Sequence, residues 1–220
     1  MSIAAKMPVP LAALWTPLYE EVVWLHARWI IFRQLYGTSA KRIELLDKSA
    51  PVLFFILQNV LGDEIQLSLS KLADPAKTGK NRNLTLETLL DEIKAASPHD
   101  IIAELEDDLA TFRHMCGNIT LRRNKFIAHF DHDTVIKDQA IAVPGASRKE
   151  ISEALAVAAR FMNRIEARFT DSTTAYDEFI FFPPGGDAED LADIIRRGLR
   201  YTELMESGSI PQDDIQSFSD

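Results

Sequence analysis

"TPLYEEVVWLHARWIIFRQLYG", residues 16–37, decides the fold class. Leu18, Val22, Leu25, Trp29, Phe32 and Tyr36 recur in alternating steps of four and three. That spacing puts one apolar stripe on a helix packed against other helices. Thr16 is suited to cap such a helix, Pro17 to occupy its first position and Gly37 to stop it. A second helix is predicted from Ser39, with Ile43, Leu46, Ala50, Leu53, Leu57 and Val60 in the same rhythm and a kink at Pro51.

The pattern continues along the chain. Asp74-Pro75 and Gly79 mark a loop, after which Thr85 can cap a short helix carrying Leu86, Leu89, Leu90 and Ile93. Ser97-Pro98 breaks it, and a long helix is expected from about residue 100 to 130. Ser147 and Glu150 have the form of a capping box ahead of Ile151, Leu155, Ala158, Met162, Ile165 and Phe169. Pro183-Pro184-Gly185-Gly186 is a stop, and Asp187 can cap a last helix to about Met205. "YDEFIFF", from Tyr176, is rich enough in β-formers for a strand, but one strand makes no sheet. The expected class is all-α, an up-and-down bundle of four to five long helices with short additional helices. Residues 1–205 read as a single domain and residues 206–220 as a flexible polar tail.

Of 220 residues, 46% are hydrophobic and 26% charged, an ordinary globular balance. The net charge of −9 excludes a surface that coats nucleic acid and leaves room only for a local contact. A single cysteine, Cys116, forms no internal disulfide, and the start carries no secretory signal, so a cytoplasmic location is expected. "APVLFFILQNVLG", residues 50–62, is about half the length of a membrane span and reads as core, so no membrane is expected.

"LRRNKFIAHFDHD", residues 121–133, is the candidate for chemistry, a basic face with a histidine or a site in which an arginine and a histidine share a substrate. On a helix turning about 100° per residue, Phe112, Cys116, Ile119, Arg123, Phe126 and Phe130 share one line. Arg123 thus interrupts an apolar stripe and needs a carboxylate, a phosphate or water as partner. Arg122 and His129 lie at the stripe's edge. Asn124 and Lys125 point outward unless the helix end is distorted. Two readings stay open. Arg123 pairs with an acid of another helix, such as Glu20, Glu21, Glu44 or Asp47, while His129 sits at a helix C-terminus; or the arginine holds a phosphate and the histidine moves a proton.

"RNKFIAH" resembles the Arg-polar-x4-His motif of the HEPN family, helical-bundle domains that include many ribonucleases. The upstream "LSKLADPAKTGKNRNLTLETLLDEI", residues 69–93, resembles the abortive-infection, AbiU-like branch. The likeness extends over residues 11–169. It implies a homodimeric, metal-independent endoribonuclease that leaves 2′,3′-cyclic phosphate ends, a toxin or phage-defence effector with RNA as substrate and an antitoxin as candidate partner. It also implies a catalytic set of Arg123, Asn124 and His129, with Arg122 and Lys125 binding substrate and no cofactor. The alternative it allows is a non-catalytic dimerisation or nucleotide- or partner-binding module.

Other constellations weigh less. "HFDHD" offers His129, Asp131, His132 and Asp133 to a metal, but such adjacent residues are usually a solvated turn, and no metal site is expected. Cys116 is expected to be a small buried residue. Lys77, Lys80 and Arg82 form a solvated loop or, alternatively, touch an RNA backbone. Trp15, Trp24 and Trp29 are mainly packing, an exposed one marking a dimer face. Arg196, Arg197 and Arg200 suit a salt-bridged surface.

Overall fold

The computed structural model describes residues 3–96, 100–124, 145–179 and 186–209. Among these the chain is an all-α helical bundle protein with one small hairpin. The helices are α1 (Val9–Tyr36), α2 (Ala40–Ser49), α3 (Pro51–Ala73), α4 (Leu86–Ala96), α5 (Ile102–Met115), α6 (Gly117–Arg122), α7 (Arg148–Phe169) and α8 (Ala188–Glu206). Strands β1 (Lys77–Thr78) and β2 (Asn81–Arg82) pair antiparallel, with Lys77 opposite Arg82 and Gly79 turning at φ +59°. That positive φ is the region that favours glycine.

Contacts divide the chain into two compact units. The first comprises Met1–Trp29 and Leu61–Phe179, the second Ile30–Val60 and Ile180–Asp220. In the first, α5 packs on α7 and α4. Its core includes Leu11, Trp15, Leu18, Val22, Leu25, Ile65, Leu69, Phe112 and Phe161. In the second, α2 packs on α8. Its buried apolar residues, among those described, are Leu35, Leu46, Phe54, Ala188 and Ala192.

Three predicted caps, Thr85, Ser147 with Glu150, and Asp187, are found, and Ser39, predicted only as a start, is also a cap. Ser39 accepts from the Arg42 N–H at 3.2 Å, and Thr85 accepts from the Thr88 N–H at 3.3 Å. Ser147 and Glu150 close their capping box, and Asp187 accepts from the N–H groups of Glu189 and Asp190.

Three predicted boundaries move. The first helix begins at Val9 and runs through Pro17, because Leu11 and Trp15 extend the buried stripe two turns upstream and their burial outweighs the lost hydrogen bond. The kink at Pro51 is a full break: Ala50 takes φ −152°, since a residue before proline is pushed out of the helical region, and Pro51 starts α3. The third change is an interruption at Cys116 (φ −80°, ψ 0°), ahead of Gly117, dividing α5 from α6. The Thr120 N–H still reaches the Cys116 carbonyl at 2.8 Å.

Residues 50–62 are not core. Phe54 is buried, while Val52, Leu53, Phe55, Ile56 and Val60 are exposed. The break at Ala50 resets the helical phase, and hydropathy alone does not say which apolar face is covered. Among the described residues α3 is also the one helix long and apolar enough to cross a membrane by length and composition. Its second half, with Ile65 and Leu69, is core, and Asp63 and Glu64 lie at its middle. Of "YDEFIFF", Tyr176 to Phe179 form turns and no strand; the remainder, like the tail from residue 210, lies outside the described residues.

Burial also creates a pH-sensitive point. His26 packs against Tyr176 with ring centroids 5.5 Å apart, and its Nε2 has no hydrogen-bond partner among the described residues. Burial pushes its pKa down, against the opposing effects of the Leu155 carbonyl and Asp177. The folded pKa is therefore below the unfolded value of about 6.5, and stability is complete above that value. It declines as pH falls through 6.5 toward the folded pKa. Melting temperature is expected to drop between pH 7 and pH 5, and to drop less in His26→Gln; an unchanged slope in that variant would reject the assignment.

Candidate functional site at the end of α6

The apolar line predicted for the motif helix holds as far as it is described. Phe112, Cys116 and Ile119 are buried, and burial pushes the Cys116 thiol up to about 12. Arg123 and Asn124, the next residues on this path, sit in a widened π-type turn. Such a bulge changes where following side chains point and is frequent at functional sites. Here it turns Asn124 toward its neighbour, so that the Arg123 Nε donates to the Asn124 Oδ1 at 3.0 Å.

Arg123 meets its carboxylate, although not one of those proposed from sequence. Its Nη1 donates to both oxygens of Asp74, at 2.9 and 2.7 Å, and its side chain is only 17% exposed. Glu20, Glu21, Glu44 and Asp47 are not its partners. Nη2 makes no hydrogen bond among the described residues. A guanidinium carries five donors in a planar fork, so the remaining edge can donate to an anionic oxygen.

Asp74 was read only as a loop marker. It stands just past the C-terminus of α3, where the helix dipole disfavours an acid, and this position was the available signal that it needs a cation. Arg113 fixes its backbone. The guanidinium donates to the carbonyls of Ala73 at 3.1 Å and Asp74 at 3.3 Å, and to the Glu87 carboxylate at 2.9 Å. The other Glu87 oxygen takes the Ala76 N–H at 2.5 Å. Arg113 first, and then that N–H, hold the Glu87 carboxyl below the usual range. Asn83 closes the loop by donating to the Pro75 carbonyl and the Thr78 hydroxyl, both at 2.8 Å. Helices α4 and α5 thereby set the acid that sets Arg123.

Arg122 reaches Asp63 at 3.4 Å, and its buried Nε has no hydrogen-bond partner among the described residues. Lys77, Lys80 and Arg82 are exposed on the hairpin that follows Asp74. Lys125 and His129, with Asp131, His132 and Asp133, lie outside the described residues. Among those described, no group of three metal-ligating side chains is found. On α8, Arg196 and Arg197 pair with Asp193 and Arg200 with Glu203, as a salt-bridged surface requires. Trp15 and Trp29 are core, whereas Trp24 is exposed beside Phe179.

Comparison with known families gives a match to HEPN_AbiU2, described as AbiU2, over residues 11–182. No curated protein and no solved structure matches the chain.

Proposed function

The chain belongs to the AbiU2 family of HEPN domains, and from that premise we propose a metal-independent endoribonuclease acting as a homodimer. Its place would be that of a toxin or phage-defence effector, held in check by an antitoxin. The observation that carries the reading is Arg123: nearly buried, oriented by Asp74 and Asn124, and keeping one guanidinium edge without a partner among the described residues.

In this reaction the ribose 2′-oxygen attacks the adjacent phosphorus, forming a 2′,3′-cyclic phosphate as the bond to the 5′-oxygen breaks. His129, in the motif, takes the 2′-hydroxyl proton or supplies one to the leaving oxygen. Arg123 binds the phosphate and balances the charge that builds on it. Asn124 holds the guanidinium in plane, and Arg122 and Lys125 bind flanking phosphates. DNA has no 2′-hydroxyl and would not be cut.

The test is RNA incubated with purified protein in excess EDTA. Wild type is expected to yield cyclic phosphate ends, and His129→Ala to yield none while keeping its oligomeric state. Identical activity in the two proteins would reject the catalytic role. The second reading, a non-catalytic interaction module, is favoured by the Asp74 grip on Arg123 and by the net charge of −9. It requires both proteins to leave RNA intact.

The hairpin is assigned to the RNA backbone in the same scheme. Reversing Lys77, Lys80 and Arg82 to glutamate is expected to raise KM with kcat little changed. The slope of log affinity against log salt would fall by about 2 for single-stranded RNA. An unchanged slope would return these residues to the solvated-loop reading.

A further inference from the structure

We infer that a pocket between α1, β2 and α4 reads one guanine of the RNA strand, with Glu92 as the residue that selects it. The inference rests on RNA as the ligand, as in the preceding reading, and does not depend on the strand being cut.

The pocket has a volume of about 280 Å³. That is at the low end of ligand cavities, with room for a single base and not for a larger cofactor. Pro10 and Leu14, one turn apart on α1, line it together with Leu84 and offer apolar contact to the faces of a base. Thr88 and Glu92, one turn apart on α4, and Arg82 of β2 supply the polar groups. The carrying observation is an ion pair that is not made. Arg82 and Glu92 are opposite in charge and line the same pocket, yet the side chain of neither has a hydrogen bond or ion pair among the described residues. Glu92 is nevertheless half-buried, whereas Glu87, on the same helix, is held by Arg113 and the Ala76 N–H. A partly desolvated carboxylate gains most from a ligand that brings its own donors.

Guanine matches the two charges. Its Watson–Crick edge carries an acceptor, O6, beside two donors, N1–H and the N2 amino group. A carboxylate accepts from both donors, and a guanidinium donates to O6. Adenine, cytosine and uracil each present a single donor group on that edge, which leaves a Glu92 oxygen unmet. The second edge of Arg82 stays available to the strand's backbone. The pocket is also fixed in advance and tied to the candidate site. The Thr88 hydroxyl donates to the Asn83 carbonyl at 2.5 Å, while the Asn83 amide, itself lining the pocket, donates to the Pro75 carbonyl and the Thr78 hydroxyl. Pro75 follows Asp74, the carboxylate that grips Arg123. A base held here lies a short stretch of strand from a phosphate at Arg123, so the pocket would choose where that strand is placed.

The test uses the full chain and short single strands of DNA, which the proposed reaction cannot cut. By fluorescence anisotropy, a strand of adenines carrying one guanine is expected to bind about 10–100-fold tighter than the same strand without it. Glu92→Gln should abolish that preference, because its amide sets a donor against a donor of guanine. Leu84→Trp, which fills the pocket from an exposed position without changing charge, should abolish it too, with matching circular dichroism. Asp91→Asn, at an exposed acid beside Glu92 and outside the pocket, should keep it. Wild type that binds both strands equally overturns the inference, as does a preference that survives Glu92→Gln. A guanine preference in a protein that leaves RNA intact keeps the pocket and rejects only the ribonuclease. RNA cut without regard to guanine, with no preference in binding, rejects only the pocket. Wild type that binds no strand overturns the inference together with RNA as the substrate. Guanosine 5′-monophosphate that binds as tightly as the strand assigns the pocket to a free nucleotide and overturns the inference.

Discussion

Under the proposed ribonuclease reading, Arg123→Ala is expected to lower the rate of RNA cleavage by about 10²–10³, the range for removing one preorganised donor to a transition-state oxyanion. Folding should change little by comparison. The pair with Asp74 is partly exposed, at 17% and 28%, so its loss costs about 1 kcal/mol, or roughly 2–4 °C in melting temperature. Arg123→Lys keeps the charge, but an ammonium cannot grip Asp74 and Asn124 while still offering a free edge; its activity should fall between the two. Asp74→Asn separates catalysis from structure. If Arg123 acts on substrate, losing its orienting carboxylate should lower kcat less than losing the guanidinium itself. Equal and small effects of both substitutions on kcat, with equal effects on melting, would make Arg123 a structural ion-pair member.

The helical stripes were legible because their periodicity reports burial directly. Leu18, Val22 and Leu25, and later Ile151, Leu155 and Met162, are core as their spacing requires. Local end signals were equally readable, since a cap such as Ser147 with Glu150 acts over three residues. Two kinds of information were not local. The Asp74 partner of Arg123 is 49 residues away, and which of several acids meets an arginine depends on how the helices pack. The exposure of Val52, Ile56 and Val60 was hidden for a related reason: an apolar stripe states that a face wants cover, without stating whether its own chain supplies it. Arg123 was legible as an anomaly, a charge on an apolar line, before its partner was known. The motif that includes His129 was legible only by resemblance, because an arginine and a histidine six residues apart carry no periodic signature of their own.

Asp108→Ala is expected to be the most damaging substitution for stability, at about 3 kcal/mol. Asp108, on α5, is 1% exposed and receives two arginines of α7. Arg160 and Arg164, one turn apart, each place an Nε 2.7 Å from a different carboxylate oxygen. Arg164 also pairs with Glu104. Removing the shared acceptor deletes two charge-assisted hydrogen bonds from the α5–α7 interface. Both arginines are partly exposed and can turn to water, which keeps the cost at the lower end of the range for breaking a buried pair. For a chain of this size the melting temperature should fall by roughly 6–12 °C. Asp108→Asn should do nearly as much harm, since an amide keeps the volume but loses the charge and turns a donor toward an arginine. The informative comparison replaces the triad at once: Asp108→Leu with Arg160→Met and Arg164→Met should recover most of the loss, because an apolar cluster avoids desolvating the carboxylate. If Asp108→Ala melts within about 2 °C of wild type, the arginine pair is a surface feature and the α5–α7 contact is held by its apolar residues, such as Phe112 and Phe161, alone.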